Sequence, residues 1–209
     1  MARRGIDLMF LDDQECILEL LEAKADLLEL SYKSFTKGKD ALLYLSSTGN
    51  FPRGGFSDMR LPDASGYLEE GSTESLAPEQ MGVLFRKNER QINFRYITGN
   101  ISPRDRQVAD RTGCKVLWKN GALFWTKVES IMRSVYVQKL VEENIPHSIL
   151  NGDEQSGFPV ETLFSFDERL PLECLEKVCD GLVEIGYLNG VIKHEEHKFY
   201  QLRNPHITE

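Results

Sequence analysis

Short apolar segments alternate with helical patterns over residues 1–135, and this alternation limits the folds open to the chain. Five predicted strands are Ile6–Leu11, Leu30–Phe35, a run that Phe56-Ser57 closes, Ile92–Ile97 and Lys115–Trp118. Helical patterns follow them, the first with an apolar stripe at Cys16, Ile17, Leu20, Leu21, Leu27 and Leu28. Strands that alternate with helices form parallel sheets through right-handed crossovers. The sequence therefore predicts an α/β domain, a five-stranded parallel doubly wound sheet, over residues 1–135.

Polar residues stand where these strands end. Asp12 and Asp13 follow the first strand, Asp58 follows the third, Thr98 the fourth and Lys119 the fifth. Ligands of open α/β sheets bind outside the carboxyl ends of the strands, so we expect these side chains to meet at one edge. Pro62 and Gly66 mark the turn after Asp58.

Three carboxylates at one edge repel one another and raise each other's pKa unless a cation joins them. Oxygen ligands of this kind suit Mg²⁺, which keeps part of its shell for water and substrate oxygens. A carboxylate that attacks a phosphoryl donor needs its developing charge neutralised, and a metal, an ammonium group and a hydroxyl can do this. The edge therefore has the groups that phosphoryl transfer to Asp58 requires.

In this arrangement, residues 1–135 resemble the CheY-like receiver domain of bacterial two-component response regulators. The resemblance rests on the acidic pair in Phe10–Asp13, the block Asp58–Gly66, the run Ile97–Gly99, and Lys119. It implies a phosphoprotein of a phosphorelay, not an enzyme, that receives its phosphoryl group from a sensor histidine kinase or a phosphotransfer protein.

The resemblance also implies a role for each residue. Asp58 would accept the phosphoryl group, with Lys119 paired to it and then to the phosphoryl oxygens. Thr98 would turn its hydroxyl onto the phosphoryl group. The ligands of Mg²⁺ would be Asp12, Asp13, Asp58 and the backbone carbonyl of Arg60.

The fifth strand departs from the family pattern. Asn120 stands where family members usually have proline, and Val116 stands where they usually have an aromatic residue. Trp118 lies beside Lys119, where we do not expect it to replace that aromatic residue. These departures leave open a degenerate receiver that acts as a non-phosphorylated interaction scaffold.

Residues 136–209 predict a small α+β module that resembles a winged-helix domain. A short helix over Pro159–Phe166 and a clear helix over Pro171–Ile185 precede a β-hairpin over Tyr187–Leu202. We expect the aromatic residues Phe164, Phe166, Phe199 and Tyr200 to lie in its core.

The charge of this module bears on its partner. The formal net charge of −8 lies entirely in residues 136–209, where 6 basic residues face 14 acidic ones. DNA-binding domains contact the phosphates with Lys and Arg side chains, which this acidic module has in small number. A downstream protein or a second copy of the chain is therefore favoured as the partner. A DNA-binding transcriptional regulator remains the alternative.

No run of apolar residues in the sequence is long enough to span a membrane, and no membrane contact is expected. Cysteines without metal-ligand spacing favour a reduced, cytoplasmic protein.

Overall fold

The computed structural model describes residues 5–47, 51–61, 77–88, 93–145, 157–166, 169–184, 187–194 and 197–202. The chain divides into two compact units, Met1–Val135 and Tyr136–Glu209. The predicted turn at Pro62 and Gly66 lies outside the described residues. None of the described helices is both long enough and apolar enough to cross a membrane.

The first unit is a parallel sheet with helices between its strands, as predicted. Its elements are β1 (Leu8–Leu11), α1 (Glu15–Leu27), β2 (Tyr32–Phe35), α2 (Gly38–Ser47), β3 (Gly54–Asp58), α3 (Ala77–Lys87), β4 (Phe94–Thr98), α4 (Pro103–Thr112), β5 (Lys115–Trp118) and the part of α5 (Phe124–Asn144) up to Val135. The strand order is β2-β1-β3-β4-β5, and every neighbouring pair is parallel. The α/β doubly wound fold is thereby confirmed, with the order reversing between β1 and β3.

That reversal determines where a site can form. The chain leaves β1 toward β2 and then crosses back to β3, so a crevice opens at the carboxyl ends of β1 and β3. All four residues of β1 are fully buried, as is usual for a central parallel strand covered on both faces. The sheet is therefore a rigid platform for the polar residues at its edge.

Helix α1 is correctly predicted, but its predicted apolar face is only partly correct. Its buried residues are Leu18, Leu21 and Ala25, whereas Leu20 is 48% exposed and Leu27 is 78% exposed. Apolar residues recur at helical spacing on two sides of α1, so periodicity alone does not identify the side that packs against the sheet.

The second unit combines helices with a small antiparallel sheet. Its elements after α5 are β6 (Phe158–Pro159), α6 (Val160–Phe166), α7 (Leu172–Glu184), β7 (Leu188–His194) and β8 (His197–Leu202), and the strand order is β6-β8-β7. The α+β content is as predicted, but β6 was not predicted, because two residues are too few to show an alternating pattern.

The core of the second unit lies under α7. Leu175, Cys179 and Leu182 of α7 are fully buried, and so is Tyr200 of β8. The Tyr200 hydroxyl donates a hydrogen bond to a carboxylate of α7, that of Asp180, at 2.8 Å. The expectation that Phe166 lies in the core is wrong, since it is 48% exposed.

Candidate functional site

The carboxyl edge of the sheet brings together the residues that the sequence analysis selected. Asp12 follows β1 directly, Asp58 is the last residue of β3, and Lys119 follows β5. The strand register pairs Asp58 with Ile97, so the next residue of β4, Thr98, stands beside the end of β3. These groups are far apart in sequence and become neighbours only because the strands are parallel and in register.

Lys119 lies between the two buried carboxylates. Its Nζ is 2.6 Å from Asp12 Oδ2 and 2.9 Å from Asp58 Oδ2. The side chains of all three residues are at least nine-tenths buried. The contact with Asp58 is a hydrogen bond, whereas Asp12 Oδ2 makes the ion pair without a well-directed hydrogen bond. A buried anionic oxygen thus retains acceptor capacity.

Burial perturbs the pKa of each group. Desolvation raises the pKa of Asp12 to about 6, although Lys119 acts in the opposite direction, and the charge of Asp58 adds to the rise. Desolvation likewise raises the pKa of Asp58, against the lowering effect of Lys119. Burial alone would lower the pKa of Lys119, but its close contacts with the two negative carboxylates outweigh burial and raise that pKa. One ammonium group therefore does not fully compensate this site.

A third carboxylate increases the negative charge. Ligand oxygens of Asp12, Asp13 and Asp58 all lie within 4.8 Å of one another, and Asp13 is exposed to solvent. Hard oxygen donors, an excess of negative charge and an unfilled buried acceptor fit Mg²⁺. The backbone of Arg60 belongs to the same group, because its amide donates to Asp58 Oδ1 at 3.2 Å. That the Arg60 carbonyl is a ligand remains a prediction.

Thr98 is fully buried at the same edge, and its hydroxyl has a partner of its own. Thr98 Oγ1 donates to the carbonyl of Asn100 at 3.0 Å. In this structure the threonine is therefore adjacent to the acidic site and hydrogen-bonded to the loop that follows β4.

The side chain of Arg60 was missed as a candidate. Its guanidinium donates to the Asn100 carbonyl at 3.0 Å and to Asp105 Oδ2 at 3.2 Å. Asp105 is buried and completes a capping box with Ser102 at the start of α4. The Ser-x-x-Asp spacing could have indicated this cap from sequence, but the arginine could not be found that way. Arg60 thus links the segment after Asp58 to the loop after Thr98.

The end of β5 also contacts that loop. Trp118 Nε1 donates to the Gly99 carbonyl at 2.9 Å, and Asn120 Nδ2 donates to the same oxygen at 3.1 Å. Val116 and Trp118 are two residues apart and therefore lie on the same face of the strand. The indole of Trp118 therefore reaches the loop after Thr98. That Trp118 does not replace the missing aromatic residue stays a prediction.

Comparison with known proteins gives structural neighbours only. No family model matches the chain, and no curated protein matches it. A CheY-like receiver domain protein from Methanospirillum hungatei JF-1 aligns at 14% identity and a TM-score of 0.49, covering 65% of this chain and 98% of its own. The signal receiver domain of a putative Luxo repressor from Vibrio parahaemolyticus aligns at 17% identity and 0.47, covering 68% and 100%.

A third neighbour has a metal in its printed description. The receiver domain of a sensor histidine kinase from Pseudomonas aeruginosa PAO1, described with a magnesium ion coordinated in its active-site cleft, aligns at 17% identity and a TM-score of 0.45. It covers 64% of this chain and 98% of its own. These three neighbours are described as receiver domains. The fold assignment itself rests on the strand order and register of this chain.

Proposed function

We propose that this chain is a two-component response regulator whose Asp58 accepts a phosphoryl group from a histidine kinase or a phosphotransfer protein. The observation that carries the proposal is the position of Lys119, which contacts Asp12 and Asp58 at once beside a third carboxylate. Structural ion pairs are normally balanced, whereas this group has more acids than its lysine can neutralise. Such an excess of buried negative charge is typical of a functional site, here one that binds a cation and a phosphoryl group.

The proposed chemistry is a single displacement at phosphorus. An oxygen of the Asp58 carboxylate forms a bond to the phosphorus, and the bond from phosphorus to the donor oxygen or nitrogen breaks. Its electron pair leaves with the donor, and Asp58 becomes an acyl phosphate. Lys119 neutralises charge on the transferred oxygens, and the Thr98 hydroxyl donates a hydrogen bond to one of them. The chain is consumed as an acceptor and is not an enzyme that turns over a substrate.

Mg²⁺ fits this scheme through the donor set described above. Asp12, Asp13, Asp58 and the backbone carbonyl of Arg60 would hold it, and it would supply neutralising charge at the phosphoryl oxygens. Without a cation, the remaining negative charge of Asp12 and Asp13 opposes the approach of a phosphate ester.

Phosphorylation by a small donor tests the proposal directly. The full chain is incubated with acetyl phosphate and Mg²⁺, and intact mass should show one added phosphoryl group. Asp58→Ala should abolish the adduct, whereas the control Asp40→Asn, which changes an exposed acid of α2, should retain it. A chain that stays unmodified at saturating donor would refute the proposal.

For the second unit we propose a winged-helix-like module that binds a downstream protein or a second copy of the chain. The order of a strand, two helices and a hairpin, with β6-β8-β7 in the sheet, supports this architecture. Along α7, four acidic residues accompany one basic residue, which disfavours contact with DNA phosphates. Sedimentation of the phosphorylated chain, alone and with duplex DNA at low salt, distinguishes the targets. A DNA complex lost on deleting residues 150–209 would favour the transcriptional regulator instead.

The scaffold alternative predicts a different result in the same experiments. A non-phosphorylated scaffold would bind its partner equally well after Asp58→Ala, because the residue would then have no chemical role.

We further propose that the protein works in the cytoplasm, where histidine kinases obtain their phosphoryl group from ATP.

A further inference from the structure

The side of α1 that faces solvent carries an apolar stripe. Four exposed residues follow one another at spacings of four, three and four positions: Cys16, Leu20, Ala23 and Leu27. This is the spacing by which two helices pack side by side along a seam. Leu27 is the most exposed of the large apolar side chains that the structure describes. Because the opposite side of α1 is already buried, this exposed stripe is a second apolar surface of the same helix.

The charges that border the exposed stripe differ between its two sides. With about 100° of rotation per residue, Glu19 lies about 70° from the centre of the stripe on one side and Lys24 lies about 70° from it on the other. Asp26 adds a second exposed acid to the border of Glu19. The ammonium group of Lys24 is held in place by α5, where it pairs with Glu129 and lies 5.4 Å from the centre of the Trp125 ring. One border is therefore acidic, and the other has a fixed positive charge.

This distribution of charge fits a second copy of α1 that runs in the same direction. When two parallel helices pack on such a seam, a residue at one border meets the residue five positions later at the opposite border of the partner helix. Glu19 and Lys24 are five positions apart, so a two-fold axis parallel to the helices would form two identical ion pairs. In an antiparallel pair the acidic border of one copy would face the acidic border of the other. Charge therefore favours the parallel arrangement.

We propose that α1 is the contact surface of a parallel homodimer, in which the exposed stripes of two chains pack on each other. The two-fold axis places each residue of the stripe opposite its own copy, so every apolar side chain is buried twice. Because α1 begins next to the acidic edge of the sheet, the two Asp58 sites lie at the same end of this dimer. The inference concerns the first unit and does not depend on phosphoryl transfer.

The short length of α1 limits the strength of the dimer. A helix of 13 residues is about 20 Å long, and contact along it is smaller than a standard interface. We therefore expect a reversible dimer with a Kd on the order of 10 µM.

Sedimentation equilibrium of the unmodified full chain tests the dimer. At about 100 µM chain the mass should approach twice 23.9 kDa, and at about 1 µM it should be close to that of one chain. Leu27→Glu should weaken association by about a hundredfold, because it removes apolar burial from both copies and brings two carboxylates together. Leu43→Glu is the matched control, since Leu43 is a similarly exposed leucine on α2. This control should leave the Kd unchanged, and far-UV circular dichroism should show that both variants fold.

Glu19→Lys distinguishes the two orientations. In the parallel pair the new lysine would stand opposite Lys24, so association should weaken about fivefold at low salt and by less at high salt. In the antiparallel pair the same lysine would face an acidic border, and association would become tighter.

Cross-linking locates the contact. Cys16 is exposed, whereas Cys114 and Cys179 are buried, so Cys174→Ser leaves Cys16 as the accessible thiol. In this variant a short bismaleimide should join two chains through Cys16, because the parallel arrangement places the two thiols opposite each other. The cross-link should disappear at about 1 µM chain, where the dimer dissociates.

Each possible failure has a distinct meaning. A chain that stays monomeric at about 100 µM, or a dimer that Leu27→Glu leaves intact, overturns the proposal. Tighter association of Glu19→Lys, or a dimer that gives no cross-link through Cys16, overturns the parallel arrangement and the proposal with it. None of these measurements uses a phosphoryl donor, so the proposed function and this inference can fail separately.

Discussion

Replacing Asp12 with asparagine is expected to stabilise the metal-free protein at neutral pH. The Asp12 carboxylate is fully buried, and desolvation raises its pKa from 3.8 to about 6 despite the ion pair with Lys119. Ionising Asp12 therefore costs more free energy in the folded protein than in the unfolded chain. Asparagine is similar in size and carries no charge, and Lys119 keeps Asp58 as its partner at 2.9 Å.

The sign and size of the effect follow from proton linkage. Between the two pKa values the folded protein binds more protons than the unfolded chain, so stability falls as the pH rises through this window. With one pKa unit equal to about 1.4 kcal/mol, ionised Asp12 costs about 3 kcal/mol at pH 8 and about 1 kcal/mol near pH 4.5. Asparagine does not titrate, so the advantage of the variant should grow by about 2 kcal/mol between these pH values.

Urea unfolding in EDTA, followed by tryptophan emission, measures this advantage. Both tryptophans lie in the first unit, so the emission reports that unit alone. Added Mg²⁺ should stabilise the parent and Asp40→Asn, the exposed control, but stabilise Asp12→Asn much less. If Asp12→Asn were no more stable than the parent at pH 8, or if its advantage did not depend on pH, the reasoning on desolvation would be wrong.

Three further tests, each by urea unfolding, concern the packing and capping within the two units. Gly82→Ala should destabilise the first unit by about 2–3 kcal/mol, because its Cβ would stand 1.9 Å from the Tyr96 hydroxyl. Gly181→Ala, with open space around it on α7, should be neutral or stabilising, and equal losses at both glycines would contradict the steric argument. Ser102→Ala should cost about 1 kcal/mol through loss of the α4 cap, and Ser102→Thr should retain most of it. Tyr200→Phe should cost about 1 kcal/mol in the second unit, measured by far-UV circular dichroism, and an unchanged midpoint would show that its hydroxyl bond contributes nothing.

The strands and the acidic edge were predictable because their signals are local. A buried parallel strand appears in the sequence as a short run of apolar residues. The residue that follows this run lies at the edge of the sheet formed by the carboxyl ends of the strands. Asp12, Asp58 and Lys119 can therefore be grouped correctly from the order of the strands alone. The capping box at Ser102 was equally readable, since its two residues are three apart in sequence.

Other features depend on contacts between distant segments. Which side of α1 is buried depends on how the helix lies against the sheet, and its two apolar sides look alike in the sequence. The hydrogen bonds of Trp118 and Asn120 to Gly99 join residues about twenty positions apart, and Arg60 reaches Asn100 over an even longer separation. No spacing rule identifies such pairs, because side-chain reach across a sheet edge is a property of the folded backbone.

The sequence by itself determined the order of the elements in the first unit, the acids at the ends of its strands and the acidic character of the second unit, because periodicity, turn residues and charge are properties of the chain. The tertiary structure alone decided that one lysine serves two buried carboxylates, that the resulting desolvation raises the pKa of Asp12 to about 6, and that Thr98 is engaged with its own loop. The physical reason is that burial and hydrogen-bond partners are defined only once the parallel register has brought the strand ends to one edge.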